Sequence, residues 1–477
     1  MDKLRKNYLF NLCYQIFSML APLITIPYVS RILGADGIGL YNLSYTTATI
    51  FVAIAQLGTI SFAIREVAFR QNDIKERSLI FWDVVILRLM TSIISTLVYL
   101  FIFARGVNKD VYIIQGLCIL GVAVDISWFF QGIEDFKSIA IRDFLSKIVS
   151  IICVFIFVKN KDEVGLYSLI LVSAIIAGRI ANWPILVKKL VRVKVSLINP
   201  FHDLKTIFIL FIPQISNQLF IAVDKCMLGM FTATTFENGY YAQADRIVKL
   251  CVAALTAVVT VMMPRIADAF ASKDEKVLYR YLCKTYRFVG CIEFPMAFGM
   301  AAIINNAIPW FFGPGYDKVA ILIYIFVPQV ILLGINSVSG MYLVATKRQN
   351  KYAFSIAVGT VFNIALNIIL IRRWLSIGAA IASVLAESIV LFIQLNAIKS
   401  KNVIFDEIRY SLIKYFITAL LMGICIVCFS KFVSPRFIDT FLLISLGAMV
   451  YFILLIILKD DLVIKEISKI AQKIKKW

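Results

Sequence analysis

The residues best placed to do chemistry in this chain are ionisable groups set inside apolar stretches. They are Arg31, Arg88, Asp125 and Arg179 in the first part, and Asp224, Lys225, Asp245, Arg246, Lys249, Glu293 and Glu387 in the second. A charge near the centre of a bilayer costs at least about 2.5 to 3.5 kcal/mol, so such groups normally face a bundle interior or a wet cavity. Guanidinium and ammonium groups gathered in that setting suit an anion, phosphate above all, because Arg makes forked, charge-assisted hydrogen bonds to it. Arg31, Arg88, Arg179, Lys225, Arg246 and Lys249 are therefore the candidate substrate-binding residues, and Asp125, Asp224, Asp245, Glu293 and Glu387 the candidates for ion coupling or gating.

The spacing sharpens some of these readings. Asp224 and Lys225 lie about seven residues before one short loop and Asp245 and Arg246 about seven after it, so on an antiparallel hairpin the two pairs share a depth. Two readings stand: ion pairs that lock the helices together, or pairs that open to a ligand in a watery cavity, where desolvation offsets less of the attraction. Arg88 and Arg179 have no acidic residue three or four positions away. Each must find a partner on another helix, reach the interface by snorkelling, or face a cavity. Asn42, Thr46, Thr49, Gln56, Gln214, Asn217, Gln218 and Asn336 are polar positions within the apolar runs. They suit either hydroxyl groups of a ligand or hydrogen bonds between helices.

The elements that must carry these groups are long and oily. The chain is 61% hydrophobic and 16% charged, with a mean hydropathy of +0.86, where soluble domains have roughly a quarter of their residues charged. A bilayer crossing needs about 20 mostly apolar residues. Fourteen stretches meet that need, from 8–32 and 38–64 at the start to 410–432 and 439–458 at the end, the fifth (143–158) being the shortest. The sequence thus predicts an all-α membrane protein with 14 transmembrane helices. Lys and Arg crowd the loops and tails on the amino-terminal side, which places both termini in the cytoplasm by the positive-inside rule. Most of the net charge of +20 is accounted for in this way. The basic run Lys188, Lys189, Arg192 and Lys194 sits beside a span, so anionic lipid headgroups rather than nucleic acid are its expected neighbours.

An internal repeat at an offset of 200 residues pairs Gly39 with Gly239, Tyr41 with Tyr241 and Arg65 with Arg265. Six spans per repeat is an even number, so two six-helix lobes would be related by an axis along the membrane normal, with two C-terminal helices appended. The expected organisation is an N-terminal lobe over 1–190, a cytoplasmic connector over 191–205, a C-terminal lobe over 206–400, and the last spans with an amphipathic tail over 401–477. In that tail Val463, Ile467, Ile470, Ile474 and Trp477 recur at helical spacing, the pattern of a helix in the headgroup layer or of a charged tail.

Several functions are disfavoured. There is no GxxxxGK[ST] phosphate loop, which speaks against ATP hydrolysis, and a single histidine, His202, speaks against histidine-rich metal sites. No metal or cofactor is expected. Cys425 and Cys428 form a CxxC inside an apolar span and read as small packing residues. The first apolar run is too long for a cleavable signal peptide. Short outer loops leave no platform for a membrane enzyme that polymerises or ligates sugars, and a transporter is the simplest reading.

Three stretches carry a resemblance: "IPYVSRILGADGIGLYN" (residues 26–42), "DISWFFQGIEDF" (125–136) and "SNQLFIAVDKCMLG" (216–229). They resemble the polysaccharide transporter family, within the superfamily of multidrug, oligosaccharidyl-lipid and polysaccharide exporters. The resemblance covers essentially the whole chain. It implies a flippase that moves an undecaprenyl-diphosphate-linked oligosaccharide from the inner to the outer leaflet through a cationic cavity with alternating access. The glycan would be a cell-surface polysaccharide or teichoic acid precursor, the setting the bacterial cytoplasmic membrane, and the partners membrane lipids and glycan polymerase machinery. The family's recurring Arg would be Arg31 and its Asp-Lys pair Asp224 and Lys225. A multidrug or cation antiporter of the same superfamily and a glycopolymer polymerase or ligase are the competing readings.

Overall fold

The computed structural model describes residues 2–187, 189–399 and 401–465, with side chains from Ala21 onward except those of Pro22 and Ala257. Lys188 and the tail positions Ile467, Ile470, Ile474 and Trp477 lie outside the described residues. Among the described residues there is no strand; the chain is a succession of helices. They are α1 (Asp2–Gln56), α2 (Thr59–Phe69), α3 (Ile74–Phe103), α4 (Lys109–Val124), α5 (Ser127–Gly132), α6 (Phe136–Phe157), α7 (Val164–Ile180), α8 (Trp183–Val187), α9 (Leu204–Phe231), α10 (Phe236–Ala271), α11 (Glu275–Phe311), α12 (Asp317–Ala345), α13 (Gln349–Ala397), α14 (Lys401–Ser430) and α15 (Phe437–Ile457).

Among the described residues, eleven helical stretches are long and apolar enough to cross a bilayer. The difference from fourteen has a physical origin. α1 is interrupted at Gly34 (φ 67°, ψ 178°) and α13 at Leu375 (φ 53°, ψ −128°); these non-helical residues divide each run into two helical segments joined at a kink, so each run counts once while holding two of the expected spans. At Leu375 a residue with a Cβ adopts a conformation normally left to glycine. It is held by packing of the two halves of α13, where a Cβ on Gly378 would stand 2.1 Å from the carbonyl oxygen of Leu370. α6 falls short because Lys137, Arg142, Asp143 and Lys147 interrupt its apolar run.

The contacts divide the chain into two compact units, Met1–Gly239 and Tyr240–Trp477. In the first, α1 packs on α3, α4, α6, α7 and α9, while α2 packs on α3, α5 and α9. This unit contains a buried aromatic cluster of Phe81, Trp128, Phe129 and Phe130 with Trp183 against it. Gly39 and Gly239 meet at one close crossing. A Cβ on Gly39 would lie 1.7 Å from the Thr235 carbonyl oxygen, and one on Gly239 would lie 1.9 Å from that of Ala35. Only glycine lets the backbones approach so closely. In the second unit α11 is central, packing on α12, α14 and α15, with α12 on α13.

Candidate functional site

The first unit brings three of the sequence-predicted site residues together. α4 ends at Val124, Asp125 takes an extended conformation, and α5 starts at Ser127. A helix that stops inside an apolar region leaves carbonyl groups without intrahelical partners. Here side chains supply the donors: Arg88 Nη1 reaches the Asp125 carbonyl oxygen at 2.6 Å, Trp128 Nε1 the same oxygen at 3.0 Å, and Trp183 Nε1 the Val124 carbonyl oxygen at 2.9 Å. The negative end of the α4 dipole adds to the attraction for the guanidinium. The Asp125 carboxylate turns the other way. Its Oδ1 accepts from the Ser127 backbone N–H at 3.0 Å and from the Ser127 hydroxyl, while Oδ2 lies 3.8 Å from Arg179 Nε.

Asp125 therefore serves two arginines, one through its backbone and one through its side chain. Arg88 is 1% exposed, so it neither snorkels nor lines an open cavity; it finds its partner on another helix. Its Nε and Nη2 have no hydrogen-bond partner, nor has Nη1 of Arg179. The Arg179 side chain is 19% exposed, which makes it the reachable cation of the cluster. Gly121 admits it: a Cβ there would stand 2.7 Å from Arg179 Nη1. Two guanidiniums and one carboxylate leave one formal positive charge in the cluster.

The other expected residues are distributed differently. Arg31 is exposed on α1, three residues before the break at Gly34. Asp224 is buried and Lys225 half-buried, side by side on α9. Within α10, Asp245 Oδ2 is bridged by Lys249 Nζ at 2.7 Å, one turn on, and Arg246 is half-buried beside them. Glu387 on α13 accepts from Asn336 Nδ2 of α12 at 2.7 Å. Glu293 on α11 has no hydrogen-bond partner at either carboxylate oxygen. No group of three or more His, Cys, Asp or Glu side chains suited to a metal occurs among the described residues.

Several contacts escaped the sequence reading. Gln56 and Gln214 bond each other at 2.8 Å and Gln218 bonds Thr49 at 3.0 Å, two rungs that join α1 to α9. Their polar character was visible; their mutual pairing was not. Trp183 and Gly121 carry no sequence signal of their roles, since a tryptophan near a span end and a glycine within one are ordinary there. Outside the spans, Lys189 Nζ meets Asp135 Oδ2 at 2.5 Å and lies 5.0 Å from the Phe130 ring.

An all-helical chain with many bilayer-length helices and ionisable clusters buried among them defines a multi-pass membrane protein. Residues 4–270, more than half of the chain, match the model of the polysaccharide biosynthesis protein family, and the chain belongs to that family. The putative O-antigen transporter of Escherichia coli (strain K12) is 24% identical over 412 residues, 84% of this chain and 98% of that protein. Among solved structures, the lipid II flippase MurJ in an inward closed conformation aligns with a TM-score of 0.78 at 17% identity, over 96% of this chain and 100% of that one. An inward-facing multidrug resistance MATE family transporter of the MOP superfamily aligns at 0.62 with 13% identity, over 84% and 99%. The two structures establish a shared fold. Family and fold together mark a membrane transporter of the polysaccharide flippase type rather than an enzyme.

Proposed function

We propose that this protein carries an undecaprenyl-diphosphate-linked oligosaccharide, a precursor of a surface polysaccharide or teichoic acid, from the inner to the outer leaflet of the bacterial cytoplasmic membrane. The chain crosses fourteen times in this reading, with α1 and α13 each contributing two crossings and α6 one, and both termini cytoplasmic. Spans 1–6 and 7–12 form two lobes, as the repeat suggests, around a cationic cavity open alternately to either side. Unaided passage of a diphosphate and its sugars through hydrocarbon is prohibitive, because charges and hydroxyls lose their water. A polar lumen replaces that water while the polyprenyl tail stays in lipid. At the outer face the cargo passes to polymerase machinery.

The observation that carries this reading is the excess of positive charge in the Arg88, Asp125 and Arg179 cluster, with an Arg179 nitrogen still lacking a partner. Arg179, Arg31, Lys225, Arg246 and Lys249 contact the diphosphate, and Arg88 holds the broken end of α4 in place behind Arg179. Asp125 positions both arginines. Asp224 and Asp245 open and close against neighbouring cations. Replacing Arg179 or Lys225 by Ala in cells that depend on this protein is expected to leave it inserted at normal level and to stop glycan reaching the surface. Normal surface glycan in both variants overturns the assignment.

A further inference from the structure

Glu293 stands apart from every other acidic side chain described above. It is fully buried, with no exposed surface, and neither carboxylate oxygen has a hydrogen-bond partner. Its Oε2 occupies the place where a Cβ on Gly334 of α12 would be, 1.7 Å from that point, and Leu255 Cδ1 of α10 closes the same spot at 3.2 Å. Glycine at 334 thus makes a slot for the acid between α11 and α12. Burying a charged group without a donor or a counter-charge beside it is costly.

Most of the titratable and charged groups described on α11 and its neighbours have partners of their own, the Nε of Arg287 being an exception. On α11 itself Tyr286 shares a hydrogen bond with Ser339 of α12 at 2.8 Å, and Cys283 donates to Glu407 of α14 at 3.5 Å. Arg287 lies beside Tyr415 and Cys291. On α14 Lys414 and Tyr415 both reach Asp460, at 3.0 and 3.3 Å. On α10 Asp245 is held by Lys249, and on α13 Glu387 by Asn336.

The helix is weakened at this very place. Pro295 has no N–H to offer the Cys291 carbonyl four residues back, and Tyr451 of α15 donates its hydroxyl to that oxygen instead, at 2.9 Å. Glu293 sits midway in the interrupted turn, where α11 bends at least cost.

We propose that Glu293 is a proton-binding site: it holds a proton while α11 and α12 are closed on it, and releases that proton to water when the two helices part. The step is a simple dissociation, carboxylic acid to carboxylate plus a proton taken up by entering water. The charge left behind then keeps the slot open until it is protonated again. The device needs only that α11 and α12 move, and so goes beyond the identity of the cargo.

Infrared difference spectroscopy on the full-length protein in lipid tests it directly. Wild type minus Glu293→Gln is expected to show the carbonyl stretch of a carboxylic acid free of hydrogen bonds, shifted by deuterium; Glu293→Asp should move that band, and serves if the Gln variant does not fold. A difference confined to the carboxylate region overturns the proposal. Hydrogen exchange across 289–297 and 330–338, corrected for intrinsic rate, is expected to rise several-fold from about pH 6 to about pH 9 in wild type and to stay flat in Glu293→Gln; a rise in both removes Glu293 as the latch. Neither readout involves a glycan. If both behave as expected while Arg179→Ala and Lys225→Ala export normally, the cargo reading falls and the proton site stands.

Discussion

One buried charge site in each compact unit shows two opposite treatments. In the first, Asp125 is surrounded by donors and serves two arginines at the broken end of α4, so charge is kept and partnered, with one positive charge left over. In the second, Glu293 is given space by Gly334 but nothing to bond with. A partnered cluster fixes a geometry and stays charged; an isolated acid avoids charge and answers to protons. The difference separates two roles: the Arg88, Asp125 and Arg179 cluster keeps its charges, while the Glu293 slot suits a group whose charge can be switched.

Breaking the partnered side has the largest expected effect. Asp125→Ala keeps the carbonyl that Arg88 binds but removes the carboxylate beside the part-buried Arg179 and the counter-charge near Arg88, a loss of about 3 kcal/mol at most, the low end for a buried pair, visible as a lower melting temperature and reduced monodisperse yield in detergent. A variant as stable as wild type would show that the cluster is solvated. Next comes Gly334→Ala, whose new methyl must displace the Glu293 carboxylate, costing about 2 to 3 kcal/mol. Adding Glu293→Ala should recover most of that loss, and a double variant that merely sums the two effects would separate the residues.

The third effect has the opposite sign. Glu293→Met removes an unsatisfied buried polar group and is expected to raise stability by about 1 to 2 kcal/mol; a fall would mean that the acid has a partner in solution. The smallest concerns Asp135, outside the spans. Burial would push its carboxyl up, but the hydrogen bonds from Lys189 and Ser138 more than reverse this and hold it below the usual carboxylate range. Its contribution is therefore complete above the ordinary Asp value near 4 and fades as pH falls through the depressed one. Lys189→Ala should flatten that acid limb of a melting-temperature profile.

Much of this was legible in the sequence. The long apolar runs announce themselves, because a bilayer demands length and hydrophobicity whatever the packing. The isolated charges Arg88, Asp125, Arg179 and Glu293 were equally plain, being conspicuous against oil. Their pairing was not. Arg88 and Asp125 are 37 positions apart and Asp125 and Arg179 are 54, and nothing local tells which helix faces which. The breaks near Gly34 and Leu375 were legible from the polar residues Asp36 and Arg372–Arg373; that each would be a one-residue kink rather than a loop was not, since composition does not fix backbone dihedrals. Gly334 illustrates the rest: its meaning lies wholly in the atom that fills the space it leaves.

The kinks at Gly34 and Leu375 bear on how the molecule tolerates change. Each turns the chain at a single residue, which leaves no length of loop to absorb an insertion. An epitope tag placed at either corner would have to displace packed helix ends rather than lengthen a free segment.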